Sequence, residues 1–193
     1  MSLALPGDVD LFRLVYGGPD GPFAAVCNVL YVIGGGWATT ALVPLAMWPP
    51  SRRFALSLGA AVATQAAAVW ALKLAFGRVR PWVRLGLPPP IGAPHDGSFP
   101  SGHAAGSFCV AAFVVLALPV AWPQPAGRLR IVAVTLFVVA ALVALSRVYL
   151  GAHFPGDVLG GALLGSLVGV GAGSLYVVRE RRNRDSARRG AAG

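Results

Sequence analysis

Three short stretches hold most of the ionisable residues that loop surface does not explain: Lys73 and Arg80-Pro81, then Pro100-Ser101-Gly102-His103, then Ser146-Arg147 with His153 and Asp157. Together they offer three cations, two imidazoles and a carboxylate. Cations capture an oxyanion. An imidazole with a carboxylate on one ring nitrogen has its tautomer fixed and the other nitrogen made more nucleophilic. A second imidazole can move the proton that a leaving group needs. Ser101 is a natural N-cap, and the helix it opens presents free N–H groups and a positive dipole end to an anion, with Gly102 allowing close approach. A basic residue, a histidine and a carboxylate at a membrane boundary imply a functional site.

Each stretch ends a long apolar run, so the elements that must position them are membrane spans. The chain is 56% hydrophobic and 12% charged, with mean hydropathy +0.68; soluble domains of this size carry about 25% charge. Five runs are long enough to cross a bilayer, which takes about 20 apolar residues: 23–48, 54–76, 103–122, 131–150 and 158–178. Alternating crossings bring the three stretches to one side. The expected fold class is all-α: an integral membrane helical bundle of five transmembrane helices plus a short N-terminal interfacial helix. It forms a single domain over 1–193, with an interfacial N-terminus at 1–22, a transmembrane core at 23–178 and a basic cytoplasmic tail at 179–193.

Residues 8–16 are too short to span and read as the interfacial helix, closed by Gly17-Gly18-Pro19. No signal peptide is expected at the N-terminus, since Asp8, Asp10 and Asp20 face a single Arg13 there. Along the fifth run Gly161, Gly165, Gly169 and Gly173 recur every four residues and predict close helix packing, within the bundle first and across a dimer second. Cys27 and Cys109 lie inside apolar runs and read as small buried hydrophobes. His95 and Asp96 lie in the outer loop near the second stretch, where they could touch a bound headgroup, and read first as a solvated loop pair. Lys73 and Arg80, seven residues apart, would share a face if the second span continued as helix.

The formal charge of +9 does not point to nucleic acid, because the cations sit in short loops and a tail. Anionic headgroups and topology explain it better. The site side holds six basic residues, Arg13, Lys73, Arg78, Arg80, Arg84 and Arg147; the other side holds ten, six of them in the tail. The richer side is therefore cytoplasmic, with Trp48, Trp122 and Tyr176 marking its interface. This places the site on the outer face of a bacterial inner membrane. The tail reads as a stop-transfer anchor, with disorder expected beyond residue 183.

The order and spacing of the three stretches resemble the signature of the type 2 phosphatidic acid phosphatases, a superfamily that includes vanadium haloperoxidases and bacterial acid phosphatases. Every signature position is matched, and the surrounding membrane architecture is similar over about 23–178; many membrane members have six spans. The resemblance implies His153 as nucleophile through a phosphohistidine, Asp157 as its partner and His103 as general acid and then base. Lys73, Arg80, Arg147, Ser101 and Gly102 would bind phosphate. No cofactor and no metal is expected, three fixed cations standing in for one. The implied partners are a lipid substrate and the bilayer. The implied reaction is hydrolysis of a lipid phosphate or diphosphate, of the phosphatidic acid, phosphatidylglycerol phosphate or polyprenyl diphosphate type. Two alternatives are hydrolysis of a soluble phosphate ester and a non-catalytic phospholipid-binding or transport role. The span centres hold no charged residue, which is unlike a proton-coupled carrier.

Overall fold

The structure, a computed structural model, describes residues 7–35, 42–93 and 95–191. They form helices α1 (Asp8–Val15), α2 (Ala24–Gly34), α3 (Leu42–Met47), α4 (Arg52–Phe76), α5 (Pro81–Arg84), α6 (Gly102–Ala121), α7 (Ala126–Tyr149) and α8 (Pro155–Gly190). Helices α4, α6, α7 and α8 are each long and apolar enough to cross a membrane, and α2 is a shorter apolar helix. The protein is an all-helical integral membrane protein. Residues 36–41, in the middle of the first expected span, lie outside the described residues, so α2 and α3 are described separately.

Helix α6 is the axis of the bundle, and the glycine repeat is why. A Cβ on Gly161 would press on the Ser101 carbonyl, on Gly165 on the Ala105 carbonyl, and on Gly169 on the Cys109 carbonyl. Bare backbone on α8 thus meets bare backbone on α6 through its small residues Ala104, Ala105 and Ala112. The opposite face of α8 carries Leu159, Leu163 and Leu167, all exposed for lipid. The repeat serves intramolecular packing, the first of its two expected uses. Cys109 and Cys27 are both buried free thiols, as expected.

At the end remote from the site, Phe54 packs edge-on against Phe113, Trp122 and Tyr176. Tyr176 is buried there. It is a core residue and not the interfacial marker its position suggested, because its ring fills the gap between α4 and α6. Past it α8 continues without a break to Gly190, so the expected disorder beyond residue 183 is not found. Glu180 pairs with Arg53 at 3.5 Å and with Arg184 at 3.8 Å, and charged pairs one turn apart support an exposed helix.

Helix α1 does more than rest on a surface. Phe12 is fully buried against Tyr16 and Phe154, with ring centroids 5.1 and 5.5 Å away. The amphipathic helix expected at 8–16 forms over 8–15, but its apolar face docks on the loop that carries His153.

Candidate active site

Local backbone decides how each stretch enters the site. Helix α4 stops at Gly77, whose φ of 52° is left-handed and whose N–H donates to the Lys73 carbonyl, the usual glycine stop. Arg80 is therefore extended and outside the helix. The shared helix face expected for Lys73 and Arg80 does not exist. A carboxylate joins them instead: Asp96 accepts from Lys73 Nζ at 2.7 Å and from Arg80 Nη2 at 2.6 Å. Asp96 is half exposed, yet it is not the solvated loop residue it resembled. Burial works upward on its carboxyl, but the Lys73 and Arg80 contacts together hold it below the usual range. His95 beside it is exposed.

Ser101 is the N-cap of α6, its hydroxyl accepting from the Ala104 N–H at 3.5 Å, while its own N–H donates to the Asp157 carbonyl at 2.9 Å. Ser101 is fully buried. A Cβ on Gly102 would make only ordinary contact with Val69 at 3.7 Å, so sterics alone do not demand glycine there. His103 follows in the first turn. Its ring stacks on Tyr31, centroids 4.9 Å apart, and its Nε2 is buried without a hydrogen-bond partner. Arg147, 2% exposed, lies with its Cζ 4.7 Å over the same Tyr31 ring, and its Nε is also unpartnered. Tyr31 thus contacts both a cation and an imidazole.

His153 sits in the turn between α7 and α8, its N–H and that of Ala152 both donating to the Arg147 carbonyl. Arg80 Nη1 donates to the Ala152 carbonyl at 2.9 Å and lies 3.2 Å from His153 Nε2. A guanidinium has only protons to give, so Nε2 is the acceptor and the ring proton is on Nδ1. Nδ1 faces Asp157 Oδ2 at 3.7 Å, an electrostatic contact longer than a hydrogen bond. Burial lowers the His153 pKa to about 4, against the pull of Asp157. The imidazole is therefore neutral at neutral pH, with a lone pair on Nε2.

Asp157 is fully buried and saturated with donors. Helix α8 starts at Pro155, so Asp157 is its third residue and accepts the Phe154 N–H at 2.8 Å. Of the two ways expected for His153 and Asp157 to meet, the loop is the one used. Ser98 Oγ also donates to Asp157 Oδ2, and Arg78 Nη1 donates to Oδ1 at 2.5 Å. The other arm of Arg78 pairs with Asp8, whose second oxygen accepts the Gly156 N–H at 2.8 Å. Arg78, Asp8 and Asp157 are all at most 4% exposed. Arg78 also lies 4.7 Å over the Phe154 ring.

Sequence reasoning missed Asp8, Tyr31, Arg78, Asp96 and Ser98. One signal was available for Arg78, a second arginine two residues before the predicted Arg80. Asp8 gave none, since its partners are 70 and 148 residues away. All eight residues expected at the site lie at one end of the bundle.

The fold and its side chains define a helical membrane bundle with buried cations and two histidines gathered at one end. The profile of the PAP2 superfamily matches residues 54–182, and the chain belongs to that superfamily. It is 44% identical over 71 residues to phosphatidylglycerophosphatase B of Bacillus subtilis, a match covering 37% of this chain and 35% of that protein. It is 34% identical over 126 residues to decaprenylphosphoryl-5-phosphoribose phosphatase of Mycolicibacterium smegmatis, covering 65% of this chain and 62% of that one. The chain thus aligns with less than two thirds of the length of either relative. The crystal structure of a transmembrane PAP2-type phosphatidylglycerolphosphate phosphatase from Bacillus subtilis superposes with a TM-score of 0.74 at 25% identity, over 88% of this chain and 84% of that one. Aquifex aeolicus LpxE superposes with a TM-score of 0.72 at 26% identity, over 89% and 98%.

Proposed function

We propose that this protein is a lipid phosphate phosphatase that releases inorganic phosphate through a phosphohistidine. The single observation that carries the reading is the Arg80 Nη1 contact to His153 Nε2 at 3.2 Å. It supports a proton on Nδ1, toward Asp157, and makes Nε2 the nucleophilic atom once Arg80 Nη1 turns from it to a phosphoryl oxygen. Nε2 attacks phosphorus, the bond from phosphorus to the leaving oxygen breaks, and His103, protonated when the anionic substrate binds beside it, gives its proton to that oxygen. The imidazole becomes cationic as it gains phosphorus, and Asp157 stabilises that charge. His103, now neutral, takes a proton from water as the water oxygen attacks phosphorus. The P–N bond breaks, phosphate leaves, and neutral His153 returns.

Lys73, Arg80 and Arg147 surround the phosphoryl oxygens and stabilise the five-coordinate state, where positioning and charge supply most of the rate in phosphoryl transfer. The unpartnered Arg147 Nε and His103 Nε2 support this, because buried polar atoms without partners cost free energy until something binds them. Ser101 and Gly102 supply the α6 N-terminus beside the same anion. The excess of basic residues at the opposite end of the bundle supports a site on the outer face of the membrane. The relatives that carry phosphatase names support a lipid monophosphate, and a diphosphate fits the same cradle.

Phosphate release from purified protein and a panel of lipid phosphates tests the reading. Brief incubation with a phosphorus-labelled substrate and an acid-labile, base-stable label on the native protein, lost in His153→Ala, is the expected result. A label that persists in His153→Ala would refute the assignment of the nucleophile.

A further inference from the structure

Two cations of the site are held in different ways. Arg80 spends its N–H groups on the protein, donating to the carbonyls of Asp96, Gly97 and Ala152 and to the Asp96 carboxylate. Arg147 lies instead against the ring of Tyr31, its Cζ 4.7 Å from the centroid. The His103 imidazole stacks on the same ring at 24°, centroids 4.9 Å apart. The difference matters chemically. An aromatic face attracts a cation and holds a flat side chain without taking up its N–H groups. Arg147 Nε and His103 Nε2 are both buried and unpartnered. The atoms a substrate needs stay free while the groups that carry them are held.

The helices that carry this cluster are registered against one another one turn deeper. A Cβ on Gly34 would press on Val143 Cγ1 and lie 3.3 Å from Ser107 Oγ, so glycine lets α2 seat closely on α7 and α6 there. Gly34 is three residues after Tyr31, Ser107 four after His103 and Val143 four before Arg147, about one helical turn in each case. The three helices that meet at Gly34 therefore meet again at Tyr31, and the close fit sets the height of the ring at the level of both polar groups. From this juxtaposition, and resting on the function proposed above, we infer that Tyr31, outside all three polar stretches, is a positioning residue for the reaction. Its ring keeps His103 at the leaving oxygen and Arg147 at the phosphoryl oxygens, and it acts through those two side chains.

The test compares two esters: phosphatidic acid, whose alkoxide must be protonated as it leaves, and a long-chain 4-nitrophenyl phosphate, whose phenolate leaves without a proton. Because kcat/KM reports only the steps through departure of that group, the comparison isolates the acid role of His103. Tyr31→Leu should lower kcat/KM about a hundredfold on phosphatidic acid, as a misplacement of about 1 Å does. On the aryl ester, where only the Arg147 contact counts, the loss should be about tenfold, the size of one desolvated cation–π contact. Tyr31→Phe, which keeps the ring, should leave both rates near native. An equal loss on both esters in Tyr31→Leu, as a merely structural role would give, would overturn the inference, and so would a loss in Tyr31→Phe as large as in Tyr31→Leu. Vanadate binding to the intact proteins reads the same ring without turnover, with affinity about tenfold weaker in Tyr31→Leu and unchanged in Tyr31→Phe. Equal vanadate affinity in native protein and Tyr31→Leu would overturn the inference too. The expected weakening, in a protein whose native form hydrolyses no phosphate ester, would refute the proposed function and leave the role of Tyr31 standing.

Discussion

Arg78 is the residue whose removal tests the site's architecture most directly. Its guanidinium joins two buried carboxylates, Asp157 and Asp8. Arg78→Met keeps most of the stem and removes the charge. Two carboxylates then face each other across the width of one guanidinium, about 5 Å, and repel by roughly 3 kcal/mol at an effective dielectric of about 20. Breaking a buried ion pair by deleting one partner costs about 3–5 kcal/mol, the same range. For a chain of this size that lowers the unfolding temperature in detergent by roughly 10 °C. His153 would lose its fixed neighbour, and misplacement of about 1 Å costs about a hundredfold in rate. The decisive measurement is the double variant Asp8→Asn with Arg78→Met. One carboxylate is then neutral, so the pair should be more stable than the sum of the singles by about 2 kcal/mol. Additivity to within about 0.5 kcal/mol would show that Arg78 does not hold the two carboxylates together.

Other outcomes are equally specific. His103→Ala and His153→Ala should each abolish steady-state phosphate release while the folded protein elutes unchanged from size exclusion; near-normal turnover in either refutes its role. Because burial lowers His153 to about 4 while the unfolded chain titrates near 6.5, the unfolded state binds more protons between those values. Stability should be complete above pH about 6.5 and fall by about 3 kcal/mol as pH drops to 4, with the slope reduced in His153→Gln, as followed by thermal unfolding across that range. Gly165→Val should prevent α8 from seating on α6, since even one added carbon meets the Ala105 carbonyl, with loss of folded protein in detergent. Activity should survive excess chelator and be inhibited by vanadate, whose trigonal bipyramid resembles the transition state; complete loss in chelator would refute the role given to the three cations.

The sequence by itself determined the membrane class, the helical elements and the catalytic candidates. Each of these rests on local signals: apolar runs of bilayer length, the Ser101 cap, a four-residue glycine period, and clustered polar residues at run ends. It did not reveal that Asp96 joins Lys73 to Arg80, because Gly77 ends α4 before the helix can place the two cations on one face, and a loop 16 residues later supplies the link. Nor did it reveal that α1 is part of the site. Asp8 looked like one of several surface acids until the fold laid Phe12 against Phe154 and brought its carboxylate to Arg78. Tyr176 misled for the same reason, an aromatic at a span end being read as interfacial when a neighbouring helix covers it. Periodicity and capping are properties of contiguous chain and are written in it. Which charge neutralises which depends on distances between segments far apart in sequence, and only the packing of α6 against α4 and α8 sets those.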